Sequence, residues 1–134
     1  MVCLDSSTLI DIIIGRPLNQ ILKDVLSENE ILTVATPSIM EIFNGLHLEK
    51  NKKYVTEKEK SKIQEVLSSM NILDFDLESA IRAGEIEAEL TNQGEIIEIE
   101  DVMIAAIAIR NKEKLLTKNK KHFERIKGLK IEIY

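Results

Sequence analysis

The chain has 134 residues, of which 44% are hydrophobic and 31% are charged, and its net charge is −5 at pH 7. That hydrophobic fraction fills one core, so the composition excludes an intrinsically disordered chain and predicts a single domain over residues 1–134. The sequence has no apolar run of the roughly 18 residues that a membrane span requires, no basic start typical of a secretory signal and a single cysteine, Cys3, so we expect a cytoplasmic protein without membrane association.

Short apolar runs alternate with segments of helical periodicity along the chain. The runs predict five strands, at residues 2–4, 31–35, 71–75, 115–117 and 129–134. The periodic segments predict six helices, at residues 6–14, 17–26, 37–46, 63–70, 77–90 and 102–109. Strands that alternate with helices are typical of a parallel sheet covered on both faces, so the sequence predicts the α/β class.

Residues that start and stop helices support these boundaries. Gly15 ends the first helix and Pro17 opens the second. Thr36 and Pro37 predict an N-cap followed by proline at the first helical position. The polar stretch at residues 49–62 predicts a loop and the exposed start of the fourth helix.

Polar side chains follow the predicted strands at the points where those strands end. Asp5 follows the first strand, Glu41 lies in the opening turns of the helix after the second, and Asp101 opens the apolar helix. Residues 117–119 (Thr-Lys-Asn) follow the fourth strand. Ligands of open α/β sheets bind at the carboxyl ends of the strands, so these positions are candidates for a site. Taken singly, Asp5 and Asp101 could instead cap helices, and Glu41 could be a solvated surface residue.

Four other polar residues have simpler interpretations. Thr8 could cap or pack, and Asp11 lies among isoleucines, so we expect it to face solvent on the far side of its helix. No set of histidines, cysteines and acids has zinc-like spacing. We therefore interpret His47 and His122 as isolated structural or surface residues.

Charge is distributed unevenly along the chain. Residues 118–130 contain one acid, Glu124, and six basic residues, which are Lys118, Lys120, Lys121, Arg125, Lys127 and Lys130. An acidic body with a basic edge suits an enzyme that collects metal ions in one place and phosphates in another, although a lysine-rich surface can also be merely solvated.

Four segments, in order along nearly the whole chain, resemble the motifs of a known family. They are LDSSTLID at residues 4–11, TPSIMEIFNGL at 36–46, EDVMIAAIA at 100–108 and LLTKNKKHF at 115–123. This order and spacing resemble the PIN-domain ribonucleases. The length and the lack of extra domains resemble the VapC-type toxins of toxin–antitoxin pairs within that family.

The resemblance implies a PIN-like three-layer α/β/α sandwich around a short, mostly parallel sheet of about five strands. It implies Asp5, Glu41 and Asp101 as the catalytic, metal-binding acids, with Mg²⁺ or Mn²⁺ as the cofactor. Thr8 would orient a metal-bound water through its hydroxyl, and Thr117 and Asn119 would support the site. The resemblance also implies a homodimer and a small antitoxin protein that binds and inhibits each subunit.

This chemistry needs hard oxygen ligands. Cleavage of a phosphodiester requires a nucleophilic water and relief of charge on the phosphate, and a divalent cation supplies both. Mg²⁺ and Mn²⁺ prefer oxygen ligands, which a cluster of Asp and Glu provides. Asn119 departs from the fullest motif, where many PIN nucleases have Asp, and its uncharged amide is a poorer cation ligand. A tightly held second metal is therefore in doubt.

RNA must also be held, and two basic segments could contact its phosphates. One lies beside the fourth motif and contains Lys118, Lys120, Lys121 and Arg125. The other contains Lys50, Lys52 and Lys53. Aromatic residues make up only 4% of the chain, so readout of many bases by stacking is not expected.

Two alternatives remain open from the sequence. A phosphoacceptor receiver-type signalling domain has a similar size and clustered acids, but here Asp5 is not part of an adjacent acidic pair, and the apolar helix after Asp101 has no role in such a domain. A catalytically degenerate PIN domain that acts only as a binding module is the second alternative, and Asn119 is the feature that favours it.

Overall fold

Five strands and eight helices alternate in residues 1–28, 31–52 and 56–134, which are the residues that this computed structural model describes. The strands are β1 (Val2–Leu4), β2 (Leu32–Ala35), β3 (Asn71–Leu73), β4 (Lys114–Thr117) and β5 (Ile131–Ile133). The helices are α1 (Ser6–Ile14), α2 (Gln20–Glu28), α3 (Thr36–His47), α4 (Glu49–Lys52), α5 (Glu57–Ser68), α6 (Leu77–Asn92), α7 (Ile99–Arg110) and α8 (Lys120–Phe123). None of the described helices is long and apolar enough to cross a membrane.

Strand β1 lies at the centre of the sheet, whose order is β3-β2-β1-β4-β5 with every neighbouring pair parallel. The chain builds outwards from β1 to β3 on one side and then adds β4 and β5 on the other, so the strand order reverses between β1 and β4. Leu4 pairs in register with Leu116, and the Asp5 backbone N–H donates to the Leu116 carbonyl at 3.1 Å. The residues after β1 and β4 therefore meet where open α/β sheets bind their ligands.

Each face of the sheet packs against its own set of helices. Side chains alternate along β1, so that Leu4 joins a core formed with α1, α2, α3 and α5, whereas Cys3 joins a core formed with α6 and α7. Residues 104–108 of α7 are all 0% exposed, as expected for a helix that is apolar on every side. The predicted three-layer α/β/α arrangement is confirmed.

Three predicted helix starts are wrong. Helix α7 begins at Ile99 rather than at residue 102. Helix α2 begins at Gln20 and not at Pro17, because the Asn19 side chain accepts a hydrogen bond from the Leu22 backbone N–H (2.8 Å) and so supplies the cap. Thr36 is the first residue of α3 and not its cap. Its hydroxyl instead accepts from the backbone N–H of Phe75, at 3.2 Å.

Short helices also occupy two segments that the sequence left without a helix. Helix α4 lies within the polar stretch predicted as a loop, and α8 follows β4. Lys50, from the expected second basic patch, is exposed on α4. Lys53 and the side chain of Lys52, which were expected to join it, lie outside the described residues.

Candidate functional site

The carboxylate of Asp5 is buried at the end of β1, where it is 4% exposed and accepts four hydrogen bonds. Oδ1 accepts from the Thr8 backbone N–H at 2.9 Å, from the Thr8 hydroxyl at 2.7 Å and from the Ser7 hydroxyl at 3.1 Å. Oδ2 accepts from the Thr117 hydroxyl. Asp5 therefore caps α1, as the simpler interpretation expected. All four donors are neutral, so they orient the carboxylate without neutralising its charge.

A chain of hydroxyl groups leads from Asp5 to Tyr134, which follows β5. The Thr8 hydroxyl is fully buried and directs its proton to Asp5, and the Tyr134 hydroxyl lies 2.8 Å from the Thr8 oxygen. Burial raises the pKa of Tyr134, so its hydroxyl stays protonated. Because the Thr8 proton points to Asp5, the Tyr134 hydroxyl is the donor of the hydrogen bond to the Thr8 oxygen. In this arrangement Thr8 positions Asp5, and Tyr134 in turn positions Thr8.

Asp101 lies in the first turn of α7 and faces the segment after β4. Its Oδ2 is 3.0 Å from Nδ1 of His122, and the same nitrogen is 2.8 Å from Nδ2 of Asn119. With a proton on Nδ1 the imidazole donates to Asp101, and without that proton it accepts from Asn119. His122, which the sequence suggests is isolated, thus contacts one of the candidate acids.

The pKa of Asp101 reflects the charges around it. Burial raises the pKa of the Asp101 carboxyl, and the charges of Asp5 and Glu98 raise it further, against the lowering effect of His122. A cation held by both Asp5 and Asp101 would replace their repulsion with attraction. Their oxygens are also the ligand type that Mg²⁺ and Mn²⁺ prefer. This donor set therefore fits the cofactor that the sequence implies.

Glu41 stands apart from this pair. It lies in the second turn of α3 with an exposed side chain, at an apolar cleft of about 310 Å³ that α1, α3 and α5 enclose. In the three ranges that the structure describes, no group of three acidic, histidine or cysteine side chains stands close enough to form a ready-made metal site. The charge of Asp5 acts on Asp101, and the roles of Asp5, Asp101 and Glu41 as metal ligands stay a prediction.

Asp11 is 6% exposed, so the prediction that it faces solvent is wrong. Arg16 Nη1 donates to its Oδ1 at 2.8 Å, and Lys118 Nζ donates to its Oδ2 at 2.6 Å. The hydrogen bond from Lys118 is the main reason that the pKa of Asp11 is lowered, and Arg16 acts in the same direction. The same contact raises the pKa of Lys118. The pair with Lys118 ties α1 to the segment that follows β4.

The four basic residues expected to contact RNA differ in their surroundings. Lys118 belongs to the ion pair with the α1 acid, and Arg125 lies 3.5 Å from Glu95. Lys120 and Lys121 are exposed on α8. Contact of any of these four residues with RNA stays a prediction.

A profile described as the PIN domain matches residues 2–129 of this chain. The chain belongs to the PIN-domain family. This membership sets aside the receiver-type alternative, and it agrees with the order of the four motifs around the sheet.

Relatives of this PIN domain are found among named ribonucleases. It is 32% identical over 109 residues to "Ribonuclease VapC2" of Rickettsia felis, which spans 81% of this chain and 78% of the relative. It is 31% identical over 101 residues to the "tRNA(fMet)-specific endonuclease VapC" of Salmonella typhimurium. That alignment covers 75% of this chain and 74% of the relative.

Solved structures share the fold of this PIN domain from end to end. A chain in the structure of VapBC2 from Rickettsia felis, bound to a DNA fragment from the promoter, matches with a TM-score of 0.84 and 29% identity, covering 100% of this chain and 99% of that one. A chain of DNA-bound VapBC from Salmonella typhimurium matches with a TM-score of 0.83 and 28% identity, and the match covers 99% of this chain and 98% of that one. A chain of a toxin–antitoxin complex from Klebsiella pneumoniae matches with a TM-score of 0.72 and 25% identity, and the match covers 96% of this chain and 95% of that one.

Sequence reasoning missed two residues of the site in this PIN domain. Tyr134 follows β5 as Asp5 follows β1, so the rule that pointed to Asp5 could also have pointed to Tyr134. His122 comes three residues after Asn119, a spacing that places both on one side of a helical turn. That signal was hidden because the sequence did not predict α8.

Replacing Asp11 by Asn should lower the free energy of unfolding by about 1 kcal/mol near neutral pH, because it breaks two ion pairs whose cations are partly exposed and screened. The pKa of Asp11 is lowered in the folded state, so its stabilisation is present above the unfolded value of about 3.9 and is lost as the pH falls through the folded value. Urea unfolding of both proteins from about pH 7 down to pH 3 measures this, and the difference should shrink below about pH 4.

The matched control is Asp24→Asn, because Asp24 is exposed and accepts from the neutral side chain of Gln20. That variant should show little loss at any pH. A loss of unfolding free energy in Asp11→Asn that stays constant across the whole pH range would contradict the ion-pair explanation.

Proposed function

We propose that this PIN domain is a VapC-type ribonuclease that cleaves RNA with the help of Mg²⁺ or Mn²⁺ and is inhibited by a cognate antitoxin. Two relatives that match most of the chain carry the names of ribonucleases. The observation that carries the proposal is the Asp5–Asp101 pair. These two acids come from different elements, Asp5 after β1 and Asp101 in the first turn of α7, and the charge of Asp5 raises the pKa of Asp101. A bound cation would relieve that repulsion.

Asp5 and Asp101 would hold the cation, with Glu41 as the third acid. When bound, Mg²⁺ or Mn²⁺ would lower the pKa of a water and neutralise charge that develops on the phosphate. Asp5 keeps its direction through the hydroxyls of Thr8 and Thr117. His122 would keep Asp101 oriented. Glu41 has a long, exposed side chain, so we expect this side chain to turn towards the two aspartates when they bind the cation.

A catalytically degenerate PIN domain remains the second candidate, and Asn119 is the observation that favours it. Asn119 stands where many family members have an acid, and its amide contacts His122 rather than an aspartate. Such a protein would keep its fold and its protein partner but would not cut RNA. The activity measurements below decide between the two.

Asp5→Asn and Asp101→Asn should each slow RNA cleavage by about 100-fold or more, the scale of losing one electrostatic group of an active site. Each variant should keep its fold, because removing one acid from a repelling pair relieves strain. The measurement is cleavage of total RNA by the purified protein in Mg²⁺ or Mn²⁺ and in chelator. We expect products with a 5′-phosphate.

Asp76→Asn is the matched control for Asp5→Asn. Asp76 caps α6 by accepting from the Ser79 backbone N–H at 2.8 Å, as Asp5 caps α1 through Thr8 at 2.9 Å. Asn caps helices as well as Asp does, so both variants keep their caps and only Asp5→Asn should lose activity. Undiminished cleavage in chelator would sink the metal-dependent mechanism, and no cleavage by the wild type in either metal would favour the binding module.

Asn119→Asp should strengthen metal binding, because a charged oxygen replaces an amide dipole beside the site. Without metal the same change should weaken the fold slightly, through repulsion with Asp101 and Asp5. Thermal unfolding in chelator and at rising Mn²⁺ separates the two effects. The variant should melt at a lower temperature in chelator and gain more from Mn²⁺ than the wild type gains. Identical curves for the two proteins would place Asn119 outside the site.

An apolar cleft supports the proposed antitoxin. It has a volume of about 410 Å³ and lies between α1, α3 and α5. Its apolar lining is Ile13, Ile14, Leu46 and Ile63, and the α5 residues Lys58, Glu59 and Lys62 add charge at its wall. Ile14 is 53% exposed there. Clefts of this kind accept an amphipathic segment of a partner. The similar solved structures are VapBC complexes, so we propose that the antitoxin covers this cleft, in an assembly built on a toxin homodimer.

Ile14→Glu should weaken binding of the antitoxin, because it places a charge against the apolar segment that fills the cleft. Copurification with the product of any small gene that lies next to the gene of this protein measures this. Ile81→Glu is the control, because Ile81 is 52% exposed on α6, on the other face of the sheet. The partner should be lost by Ile14→Glu and retained by Ile81→Glu, whereas equal retention by both would move the antitoxin to another surface.

A further inference from the structure

A third cleft, also of about 310 Å³, opens beside the candidate site, between the segment that follows α1 and the residues after β4 and β5. Its lining combines two basic residues, Arg16 and Lys118, with the apolar and aromatic surfaces of Leu18, Leu22 and Tyr134. The two basic side chains are 61% and 46% exposed, so both reach solvent although they also contact Asp11. The motifs shared with the family do not assign a role to this combination of charge and aromatic surface.

The cleft begins one side chain away from Asp5. Tyr134, which lines it, lies 2.8 Å from the Thr8 hydroxyl that donates to Asp5. Lys118, which also lines it, directly follows Thr117, whose hydroxyl binds the other oxygen of Asp5. A molecule in this cleft therefore lies next to any group that reacts beside Asp5.

We propose that this cleft is a nucleotide subsite, in which Arg16 and Lys118 bind a phosphate that flanks the one being cleaved, while the attached base packs on Tyr134 and Leu18. The inference rests on the proposed function, because it takes single-stranded RNA as the substrate. It deepens that function by naming residues that would hold the strand.

The charges of the cleft suit a phosphate. Asp11 holds Arg16 and Lys118 at 2.8 and 2.6 Å, so the two cations are already converged before a ligand arrives. Two positive charges against one negative charge leave the group net positive. The planar fork of a guanidinium also matches phosphate oxygens. The neighbouring aromatic and aliphatic surface favours a nucleotide over an acidic polypeptide, because a base follows each phosphate and stacks well on an aromatic ring.

Binding of a labelled single-stranded oligouridylate of about 12 nucleotides, measured in chelator at several salt concentrations, tests the proposal. Each lost phosphate contact should reduce the slope of log affinity against log salt by about 0.7, which corresponds to about fivefold weaker binding near 0.1 M salt. Arg16→Met and Lys118→Met should each show this change.

Asp11→Asn should act in the opposite direction and tighten binding severalfold, because it frees both cations for the phosphate. A merely structural ion pair predicts lower stability without this gain. The matched controls are Lys114→Met and Glu132→Gln, an exposed pair 3.7 Å apart that joins the first residue of β4 to β5 and does not line the cleft. Removing either control charge should change the affinity much less than its counterpart does, because neither side chain lines the cleft and salt weakens the effect of charges outside it.

Tyr134→Leu distinguishes the base from the phosphate. Losing one stacked base should weaken binding about fivefold or more, but it should leave the salt slope unchanged, because no ionic contact is lost. Melting curves of every variant confirm that the protein is folded at the assay temperature.

The outcomes separate the subsite from the nuclease proposal. If the wild type cleaves RNA while Arg16→Met and Lys118→Met bind as Lys114→Met does, the subsite is wrong and the nuclease stands. If the wild type cleaves nothing but its binding follows the predicted pattern, the nuclease is wrong and the subsite stands. Displacement of the RNA by an oligoglutamate of equal charge as effectively as by unlabelled RNA would overturn the subsite in favour of an acidic polypeptide.

Discussion

The buried carboxylate of Asp5 is the constraint on which the rest of the site depends. A charge withdrawn from water is costly unless hydrogen bonds and an opposite charge replace its hydration. Here Ser7 and Thr8 of α1 supply local hydrogen bonds. The bond from Thr117 at the end of β4 exists only because β1 and β4 are neighbours at the switch point. The donors supply no positive charge. The fold therefore presents a rigid, oriented anion whose remaining requirement is a cation.

The partners of the three aspartates around this edge differ, and the differences separate their roles. Asp11 meets Arg16 and Lys118, which lower its pKa and satisfy its charge within the protein. Asp101 contacts the His122 imidazole, and its pKa is raised by burial and by the charges of Asp5 and Glu98. An acid already paired with two cations has little to gain from a metal, whereas two acids that repel each other have much to gain. Electrostatics thus distinguishes Asp11, which carries no proposed metal role, from Asp5 and Asp101.

Much of this arrangement could be predicted from the sequence, because periodicity and strand-end position are local signals. The strands and the burial of α7 follow from apolar runs, and Asp5 and Asp101 follow from their places after β1 and at the start of α7. What could not be predicted depends on contacts between distant segments. The exposed or buried state of Asp11 is decided by Lys118, which is far away in the sequence but adjacent once β4 pairs with β1. Glu41 shows the converse, since a motif names it but the contacts of the described residues do not join it to the other acids.

Tyr134 connects the two halves of the proposed surface, because its hydroxyl reaches Thr8 while its ring lines the neighbouring cleft. A base packed on that ring would restrict the ring's motion, and with it the hydroxyl that donates to Thr8 and, through Thr8, the direction of the Asp5 carboxylate. Binding of a strand and orientation of the acid would then be one event. Precise positioning of the reacting groups accounts for much of the rate that enzymes achieve. The contact of Tyr134 with Thr8 would supply part of that positioning, although Tyr134 does not touch Asp5 itself.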